Sequence, residues 1–477
     1  MKNMKPYIIK LVFPVFCVLF AVGMSAQDIR SAYFLKGTSL NHRMNPAFVS
    51  EYDYVSIPVL GNMYINTQAN VGLSNFIYKY DNSQYGLTTF LNESVDGKSF
   101  LNKLHDNNKI DINLNTTILS AGFHAWGGFN TVELGLKSSV SLNLPYALFD
   151  FMKSGMKKEA GNTYKLKDLS ARSNNYVELA LGHARPIDDY LVVGAKVKGL
   201  IGIANLDVKF NDMSIAMDKD KWVIKADGTL DAAIKGGQFE TETSDNGKEE
   251  ITGFKLNSPG IGGIGLGLDL GASYRLADDL TLSAAILDLG FISWSNTLQG
   301  RTNGEKFTFE GFEDIKIIKD DAGSGGGSKG VKDQLDDIAD DLEGMIKFYD
   351  AGKGSRTTSL ATTVNLGAEY TSYLYDKLTF GLLSSTRFNG LYTWTEARLS
   401  ANVAPLKWFE ASLSGGVSNF GTSLGGVLNF HPKSINFFIG ADCLFTQVTP
   451  QFVPVNRPNL RANFGFNITF ENKIFSK

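Results

Sequence analysis

The stretch that decides the fold reads Leu360-Ala-Thr-Thr-Val-Asn-Leu-Gly-Ala-Glu-Tyr370. Leu366 and Ala368 would lie on one face of a strand, whereas Asn365 and Glu369 would lie on the other. The same two-residue alternation recurs in the runs that follow toward the C-terminus, and their charged residues fall on the polar face. The region therefore predicts a series of strands, each with one apolar and one polar side.

The length of these runs and the position of their charges favour a membrane over water as the surroundings of the apolar face. A strand that crosses a bilayer needs roughly 9–11 residues, which these runs provide. A Lys or Arg that faces lipid at mid-membrane costs about 2–4 kcal/mol, whereas one that faces the lumen is solvated. Only a closed barrel satisfies the backbone of such strands in lipid. We expect an all-β, closed antiparallel transmembrane β-barrel.

Composition agrees with this class and argues against others. The net charge is -3 and the pI about 6.0, so bulk electrostatics do not suggest nucleic-acid binding. The chain has 49 Gly, 33 Phe and 18 Tyr, which suit twisted strands, tight turns and aromatic girdles. A mean hydropathy of -0.08 excludes a helical membrane bundle but not a barrel with a polar interior.

The N-terminus has the pattern of a cleaved secretory signal. Three lysines accompany an apolar run from Leu11 to Val22, and the small residues Gly23 to Ala26 follow it. Cleavage after Ala26 would send the mature chain to the outer membrane of a Gram-negative cell. The mature chain would then keep a single cysteine, Cys443, which is expected to be a lipid-facing apolar side chain with no disulfide partner.

Counting the alternating runs predicts fourteen strands, an even number as in bacterial single-chain barrels. The predicted strands are 54–71, 113–125, 130–144, 175–184, 190–208, 263–276, 280–291, 359–372, 377–388, 391–404, 408–418, 423–431, 435–446 and 460–471. Residues 1–26 are the predicted signal, 27–53 a plug-like segment without strand rhythm, and 54–477 the barrel. The long connections are expected on the outer side: 72–112, 145–174, 209–262, 292–358 and 447–459.

Three inserts interrupt the strand pattern. Residues 145–152 predict a short helix with an aromatic face, and 323–330 a glycine-rich linker. Residues 331–349 have apolar residues at helical spacing and acids on the opposite face, which predicts a surface helix over the barrel mouth. Within 209–262, the run that begins at Trp222 leaves a further hairpin open.

Several short motifs resemble one known group of proteins. Asn45-Pro46-Ala47 before the first strand resembles outer-membrane proteins of the long-chain fatty-acid transporter (FadL-like) superfamily. The runs from Arg30 to Leu35 and from Ser56 to Asn62 resemble an uncharacterised family within that superfamily. The run from Ile286 to Trp294 resembles the Asp-Leu/Ile-Gly strand end of the superfamily. The resemblance implies a barrel that carries small hydrophobic molecules, and an aromatic-ended last strand used by the barrel assembly machinery.

Motifs for catalysis, metals and cofactors are missing from the sequence. The five histidines have no metal-ligand spacing, and the run from Gly260 to Gly267 lacks the Lys-Ser/Thr of a phosphate loop. Close strand packing or a bulge accounts better for those glycines. No serine-hydrolase elbow is present, and the acids of 331–349 lack the spacing of a calcium loop, so a solvated face explains them. We expect no metal, no cofactor and no enzyme activity.

The residues of interest are therefore those of the plug and the lumen. The plug or gate candidates are Tyr33, Phe34, Leu35, Asn45 and Pro46. The polar residues expected to face the lumen are Glu133, Lys137, Glu178, Lys196, Lys198, Asp269, Arg275, Glu369, Arg387, Glu396, Arg398, Glu410 and Asp442. Their mixed signs indicate an interior tied by ion pairs and not an ion pore of one sign. Rigidifying a filled barrel and guiding a substrate both remain open for them.

Two hypotheses for the function follow. The first is a passive channel for small hydrophobic molecules, moving through the barrel wall or lumen. The alternative is a scaffold without transport, a docking or shuttle protein for secreted cargo. The expected partners are the lipid bilayer, the assembly machinery and either a hydrophobic ligand or an outer-membrane or secreted protein; nucleic acid is not among them. A continuous apolar route would favour transport, and a lumen packed solid under ordered outer loops would favour the scaffold.

Overall fold

The computed structural model describes residues 29–58, 60–79, 87–156, 161–218, 222–244, 246–258, 260–302, 304, 306–309, 346–443 and 460–470. Its strands are β1 (Asp53–Ser56), β2 (Met63–Ala69), β3 (Ile77–Lys79), β4 (Leu87–Thr89), β5 (Asn107–Ala125), β6 (Gly128–Pro145), β7 (Asn162–Leu166), β8 (Leu169–Pro186), β9 (Leu191–Met217), β10 (Trp222–Ile234), β11 (Gly237–Thr243), β12 (Glu249–Leu256), β13 (Gly263–Ala277), β14 (Leu280–Arg301), β15 (Lys306–Phe309), β16 (Tyr349–Ser359), β17 (Thr362–Thr371), β18 (Leu378–Phe388), β19 (Thr393–Leu406), β20 (Phe409–Ser418), β21 (Gly421–Phe430), β22 (Ile435–Cys443) and β23 (Leu460–Phe470).

The described helices are few and short. Two α-helices, α1 (Gly97–Leu101) and α2 (Tyr146–Ser154), lie in long outer connections. Single 3-10 turns cover Arg30–Ala32, Asn41–Arg43 and Leu73–Asn75. The helix predicted over 145–152 is present as α2. In the described residues, no helix has the length and apolar character needed to cross a membrane.

Strand pairing closes the sheet into a barrel. From β5 onward, each barrel strand pairs antiparallel with the next, ending with β22 and β23. The last strand then pairs with both parts of the first, Asp53 with Phe470 in β1 and Thr67 with Leu460 in β2. β1 and β2 share one position in the ring and β16 and β17 another, which makes fourteen positions. The predicted closed antiparallel barrel of about fourteen strands is confirmed.

The wall is apolar outside and polar inside. In β20, Leu413 is 70% exposed, whereas its neighbours Ser412 and Ser414 are 6% and 4% exposed. Such an inverted pattern fits a wall whose outer side meets lipid and whose inner side lines a filled lumen. A broad apolar groove on the lipid side, lined in part by Phe380 and Leu399, belongs to this outer surface and lies away from the charged interior.

The two ends of the barrel differ as outer-membrane barrels require. Short turns join β5 to β6, β13 to β14, β17 to β18 and β19 to β20 at one end, which is the periplasmic end by this rule. Trp126, Tyr373 and Trp408 are exposed in these turns, as expected of an interfacial aromatic girdle. The longer connections and both α-helices lie at the other, outer end.

The first strand departs from its prediction. The sequence predicts one strand over 54–71, but the structure breaks it between β1 and β2. Pro58 has no backbone N–H to donate to a neighbouring strand, and Gly61 N donates instead to Ile57 O within a tight turn, at 2.6 Å. The wall pairing resumes on both sides of this turn.

Several strands run further outward than predicted. β9 ends at Met217 and β14 at Arg301, and β16 occupies part of the connection predicted over 292–358. The run at Trp222 forms β10, which pairs with β9 and with the end of β14, and β11 and β12 form a further hairpin. The charged residues of these extensions look like loop sequence because the extensions stand above the membrane, where both faces need not follow the lipid rule.

These extensions and the outer connections form an ordered cap with its own apolar cores. In one core, Phe151 of α2 packs with residues of β9 and β10, among them Phe210 and Leu230. In a second core, Phe90, Phe100 and Phe149 stack together. The predicted signal, the linker 323–330, the acidic helix up to residue 345, the connection 447–459 and the Cys443 side chain lie outside the described residues.

The lipid-facing assignment predicts an asymmetric response to added charge. Leu399→Arg places a guanidinium in the middle of the apolar belt and should lower the free energy of unfolding by about 2–4 kcal/mol. Glu242→Arg, near the tip of the exposed β11–β12 hairpin, should change it by about 0.5 kcal/mol or less. Urea unfolding of the protein in lipid vesicles measures both values. Equal values would contradict the assignment of this wall face to lipid.

Candidate functional site

The N-terminal residues 29–50, called the plug below, occupy the lumen. They contain two 3-10 turns and, throughout this fully described stretch, no strand. Gly37, Asn45 and Pro46 interrupt any alternation, so turns replace strands here. Almost every plug residue is at least half-buried, and Lys36 is exposed. The segment thus fills the barrel without joining its wall.

Hydrogen bonds tie the plug to strands on opposite sides of the barrel, mostly near their periplasmic ends. Each contact joins a plug group to a wall group. The contacts are Tyr33 Oη with Ser283 Oγ at 3.1 Å, Gly37 N to Glu410 Oε2 at 3.0 Å, Ser39 N to Asn436 Oδ1 at 3.1 Å and Asn45 Nδ2 to Ala272 O at 3.1 Å. Because these partners come from β13, β14, β20 and β22, the plug cannot move as a unit without losing contacts on several sides.

Glycines in the wall let the plug approach closely. A Cβ on Gly381 would overlap the ring of Phe34, and one on Gly194 would overlap the backbone of Pro46. Phe34 also makes an edge-to-face contact with Tyr33, with ring centroids 4.8 Å apart. A smooth inner wall at these points is therefore part of how the plug is seated.

Three groups of charges fill the lumen. The first, the arginine cluster, consists of Arg30, Glu396, Arg398, Asp442 and Arg461. Glu396 pairs with Arg398 at 2.6 Å and with Arg461 at 2.7 Å, and the backbone N–H of Arg30 donates to Asp442 at 3.0 Å. The side chain of Arg30 also pairs with Glu396 at 3.5 Å. The start of the plug is thereby held by charges of the wall.

An indole ring supports the arginine cluster. The guanidinium carbons of Arg30 and Arg461 lie 4.0 and 5.0 Å from the centroid of the Trp394 ring. Arginine over an aromatic face gains cation–π attraction, about 0.5–1 kcal/mol or more when desolvated. The ring therefore helps to keep like-charged guanidinium groups near each other.

The second group, the His42 cluster, contains His42, Arg43, Glu133, Lys196 and Tyr54. Glu133 accepts from Arg43 at 2.6 Å and from Lys196 at 2.8 Å. Lys196 also donates to Nδ1 of His42 at 2.7 Å, so Nε2–H points to Tyr54 Oη at 2.7 Å. Burial, and then the Lys196 ammonium, hold the pKa of His42 well below 6.5. The imidazole is neutral at pH 7.

The third group, the lysine cluster, belongs to the wall alone: Lys137, Glu178, Lys198, Asp269 and Asp288. Lys198 pairs with Asp288 at 2.6 Å and with Asp269 at 2.7 Å, and Lys137 pairs with Glu178 at 3.2 Å. Asp288 has a φ of 57°, and the β13–β14 register shifts beside it. This bulge turns the Asp288 carboxylate inward. A polar cavity of about 560 Å³ lies between this cluster and the His42 cluster.

The structure brings most of the residues predicted for the lumen together. Among the lumen residues, Glu133 and Lys196 lie in the His42 cluster; Lys137, Glu178, Lys198 and Asp269 in the lysine cluster; Glu396, Arg398 and Asp442 in the arginine cluster. Glu369 pairs with Lys36 and Glu410 with the Gly37 amide, whereas Arg387 lies at the outer mouth against Asn113. The plug candidates Tyr33, Phe34, Leu35, Asn45 and Pro46 are all buried in the lumen.

Arg275 does not follow its prediction. It lies at the periplasmic rim, close to the turn into β14, and it is exposed. Its backbone N–H pairs with Tyr190 O of the neighbouring turn at 2.8 Å. Alternation alone gives the face of a residue but not its depth, and at this depth the inner face already meets water.

Sequence analysis missed four residues of these clusters: Arg30, His42, Arg43 and Asp288. Three of them are in the plug, where no period exists to assign a direction. Asp288 had a signal, because it occupies the outward parity of Ile286 in an otherwise apolar run, and a charge there indicates a bulge.

The chemistry available to this lumen is electrostatic. In the described residues, no group of three or more His, Cys, Asp or Glu is placed to hold a metal ion. Cations and acids occur in nearly equal numbers and satisfy each other, so an ion pore of one sign is not formed. What the site can do is hold the plug in place by paired charges.

A closed transmembrane barrel with a lumen filled by its own N-terminal segment is the class that this fold and site define. The chain belongs to the family of unknown function DUF5723, whose model matches residues 46–442. This agrees with the expected membership of an uncharacterised family. The comparison with curated proteins found no match.

Solved structures found by comparison are of the expected kind. The toluene transporter TbuX of Ralstonia pickettii is 10% identical, with 94% of this chain and 96% of that chain covered and a TM-score of 0.40. The toluene transporter TodX of P. putida is 8% identical, with 95% and 97% covered and a TM-score of 0.39. A Pseudomonas aeruginosa FadL homologue is 10% identical, with 94% and 100% covered and a TM-score of 0.38. At these TM-scores, the function proposed below depends on this chain's own residues.

The neutral His42 predicts that acid loosens the plug. In an undocked plug, His42 would have an ordinary pKa near 6.5 and would bind a proton that the docked plug refuses. Docking should therefore be strongest above pH 6.5 and weaken as the pH falls below it, by up to about tenfold per pH unit. The pH dependence of limited proteolysis of the N-terminal segment measures this, between pH 7.5 and 5.

The matched control for this pH dependence is His42→Gln, which keeps a polar side chain but cannot be protonated. Its proteolysis should be flat over the same range, since the carboxylates of the clusters titrate lower. The same acid response in both proteins would show that His42 is not the group that senses pH.

Proposed function

We propose that the protein is a passive outer-membrane channel for small hydrophobic molecules, which pass along the outer side of the wall while the lumen stays closed. The observation that carries the proposal is an apolar pocket of about 570 Å³ at the base of the cap. Val140, Ala171, Leu206 and Ala232 line it, together with a few polar groups. Such a lining is what small apolar ligands need.

The register places this pocket on the lipid-facing side. Val140 pairs with Ser173, Ser173 with Leu206, and Leu206 with Ala232, so these residues form a row on one face of β6, β8, β9 and β10. Val140 and Leu206 are 5% and 8% exposed although that face meets lipid further down. Leu206 packs in the cap core with Phe151. The pocket therefore stands where the cap meets the apolar belt.

The lumen offers no comparable surroundings. Apolar surface gains about 25 cal/mol per Å² on leaving water for an apolar site, and a lumen of paired charges does not provide that gain. A ligand that enters below the cap can remain in contact with apolar residues until it reaches the bilayer. This supports the transport that the sequence resemblance implies, by a path that does not require the plug to leave.

Filling the pocket should reduce uptake. In purified protein in liposomes, Ala171→Phe should lower the initial rate of uptake of a labelled long-chain fatty acid at least fivefold, because the ring occupies the pocket. Ala411→Phe makes the same change on the outward face of β20, away from the pocket, and should leave the rate within twofold of the unsubstituted protein. Equal rates in both variants would overturn the pocket route.

The scaffold remains the second candidate, and a specific observation favours it. The lumen is filled, and the cap holds two apolar cores, so the outer surface is ordered enough to present a docking face. If protein shown to be folded gives no uptake above empty liposomes, transport of fatty acids is excluded and the cap becomes the functional part. Saturable uptake in the unsubstituted protein would exclude a scaffold without transport.

A further inference from the structure

The turn between β18 and β19 crosses the outer mouth of the barrel. Around the fourteen strand positions, β18 lies seven steps from β5, which is the opposite side of the ring. Even so, residues 387–392 contact β5. We call residues 387–392 the lid.

Side chains join the lid to β5 and its surroundings. Arg387 donates to Asn113 Oδ1 at 3.1 Å, and Asn389 Nδ2 donates to Asp111 Oδ2 at 3.3 Å. Asp111 is buried and also accepts from the Asn113 side chain at 2.9 Å. A contact that needs both walls of the barrel is broken when the lid swings outward.

Two further contacts fix the tip of the lid. Arg172 of β8 donates to Asn389 O at 3.4 Å. The ammonium of Lys109 lies 5.0 Å from the centroid of the Tyr392 ring. The lid is therefore attached through β5 and β8 with polar contacts, which water can replace when they open.

The lid itself is built on one asparagine. Asn389 Oδ1 accepts from the backbone N–H groups of Leu391 and Tyr392, at 3.1 and 3.0 Å, and shapes the turn. Gly390 has a φ of 86°, a conformation that L side chains rarely adopt. Asn389 thus links the shape of the lid to its attachment at Asp111, and Gly390 supplies a hinge.

We propose that residues 387–392 form a polar lid that closes the lumen at its outer end, independently of the plug at the periplasmic end. The lumen is then closed twice, and the space beneath the lid becomes accessible from outside when Arg387 and Asn389 release β5. The plug does not need to move. This closure is separate from the pocket at the base of the cap, so it stands or falls apart from the proposed function.

The test measures access to the space beneath the lid. Ser139 of β6 pairs in register with Asn113, so Ser139→Cys places a thiol on the lumen side beside the lid contact. Cys443→Ala removes the other cysteine of the predicted mature chain. A membrane-impermeant methanethiosulfonate added outside intact cells should modify this thiol slowly, and at least tenfold faster when Asn389→Gly is added.

Asn419→Gly is the matched control. Asn419 lies in the neighbouring outer turn between β20 and β21, where its side chain accepts from Thr395 N at 2.8 Å, and it does not contact β5 in the described residues. This substitution should leave the modification rate within twofold of the reporter protein. Unfolding the protein must make the thiol fully reactive in every variant, which shows that the reporter itself works.

Two results overturn the proposal. The first is fast modification with the lid intact, because the mouth would then already be open. The second is an unchanged slow rate in Asn389→Gly, because the lid would then not be what limits access. A tenfold increase confined to Asn389→Gly supports it, and uptake of fatty acid through the pocket should be unaffected by the same substitution.

Discussion

The structure depends on one constraint: in lipid, every backbone N–H and C=O of the wall must find a partner within the wall. The seam between the last and the first strand meets it in an unusual way, because the first strand is broken. Phe466 N still donates to Leu60 O at 3.0 Å and Thr117 N to Asn62 O at 3.3 Å, so the turn between β1 and β2 keeps the ladder closed on both sides. Closure therefore tolerates an interruption provided that its ends remain paired.

A ring of fourteen strands creates the next problem, which is the space inside. Barrels of about eight strands can be filled by their own side chains, but wider ones leave a lumen. Here the N-terminal segment occupies that space, and wall charges meet plug charges in pairs such as Glu133 with Arg43 and Glu396 with Arg30. Removing one partner of a buried pair costs about 3–5 kcal/mol because it leaves an uncompensated charge. The pairs therefore specify one position of the plug.

The sequence could predict what the two-residue period controls and little more. It predicted the barrel, its strand count and the inner face of residues such as Glu133 and Lys198, because strand period and membrane cost act on each residue locally. It could not predict that β9 continues to Met217, because that extension is stabilised by packing against α2 and β10 from elsewhere in the chain. The path of the plug also lacked a local signal. Asp288 was within reach, since a charge at an outward position indicates a bulge.

The kind of interaction that closes the lumen decides how the closure can be reversed. If apolar packing held the plug and the lid, opening would expose apolar surface to water, at about 25 cal/mol per Å². Both are held largely by polar and charged groups, which water can solvate after they separate. The cost of opening is then mainly the loss of paired geometry, such as that of Asn389 with Asp111. Because plug and lid touch different strands, each can open while the other preserves the barrier.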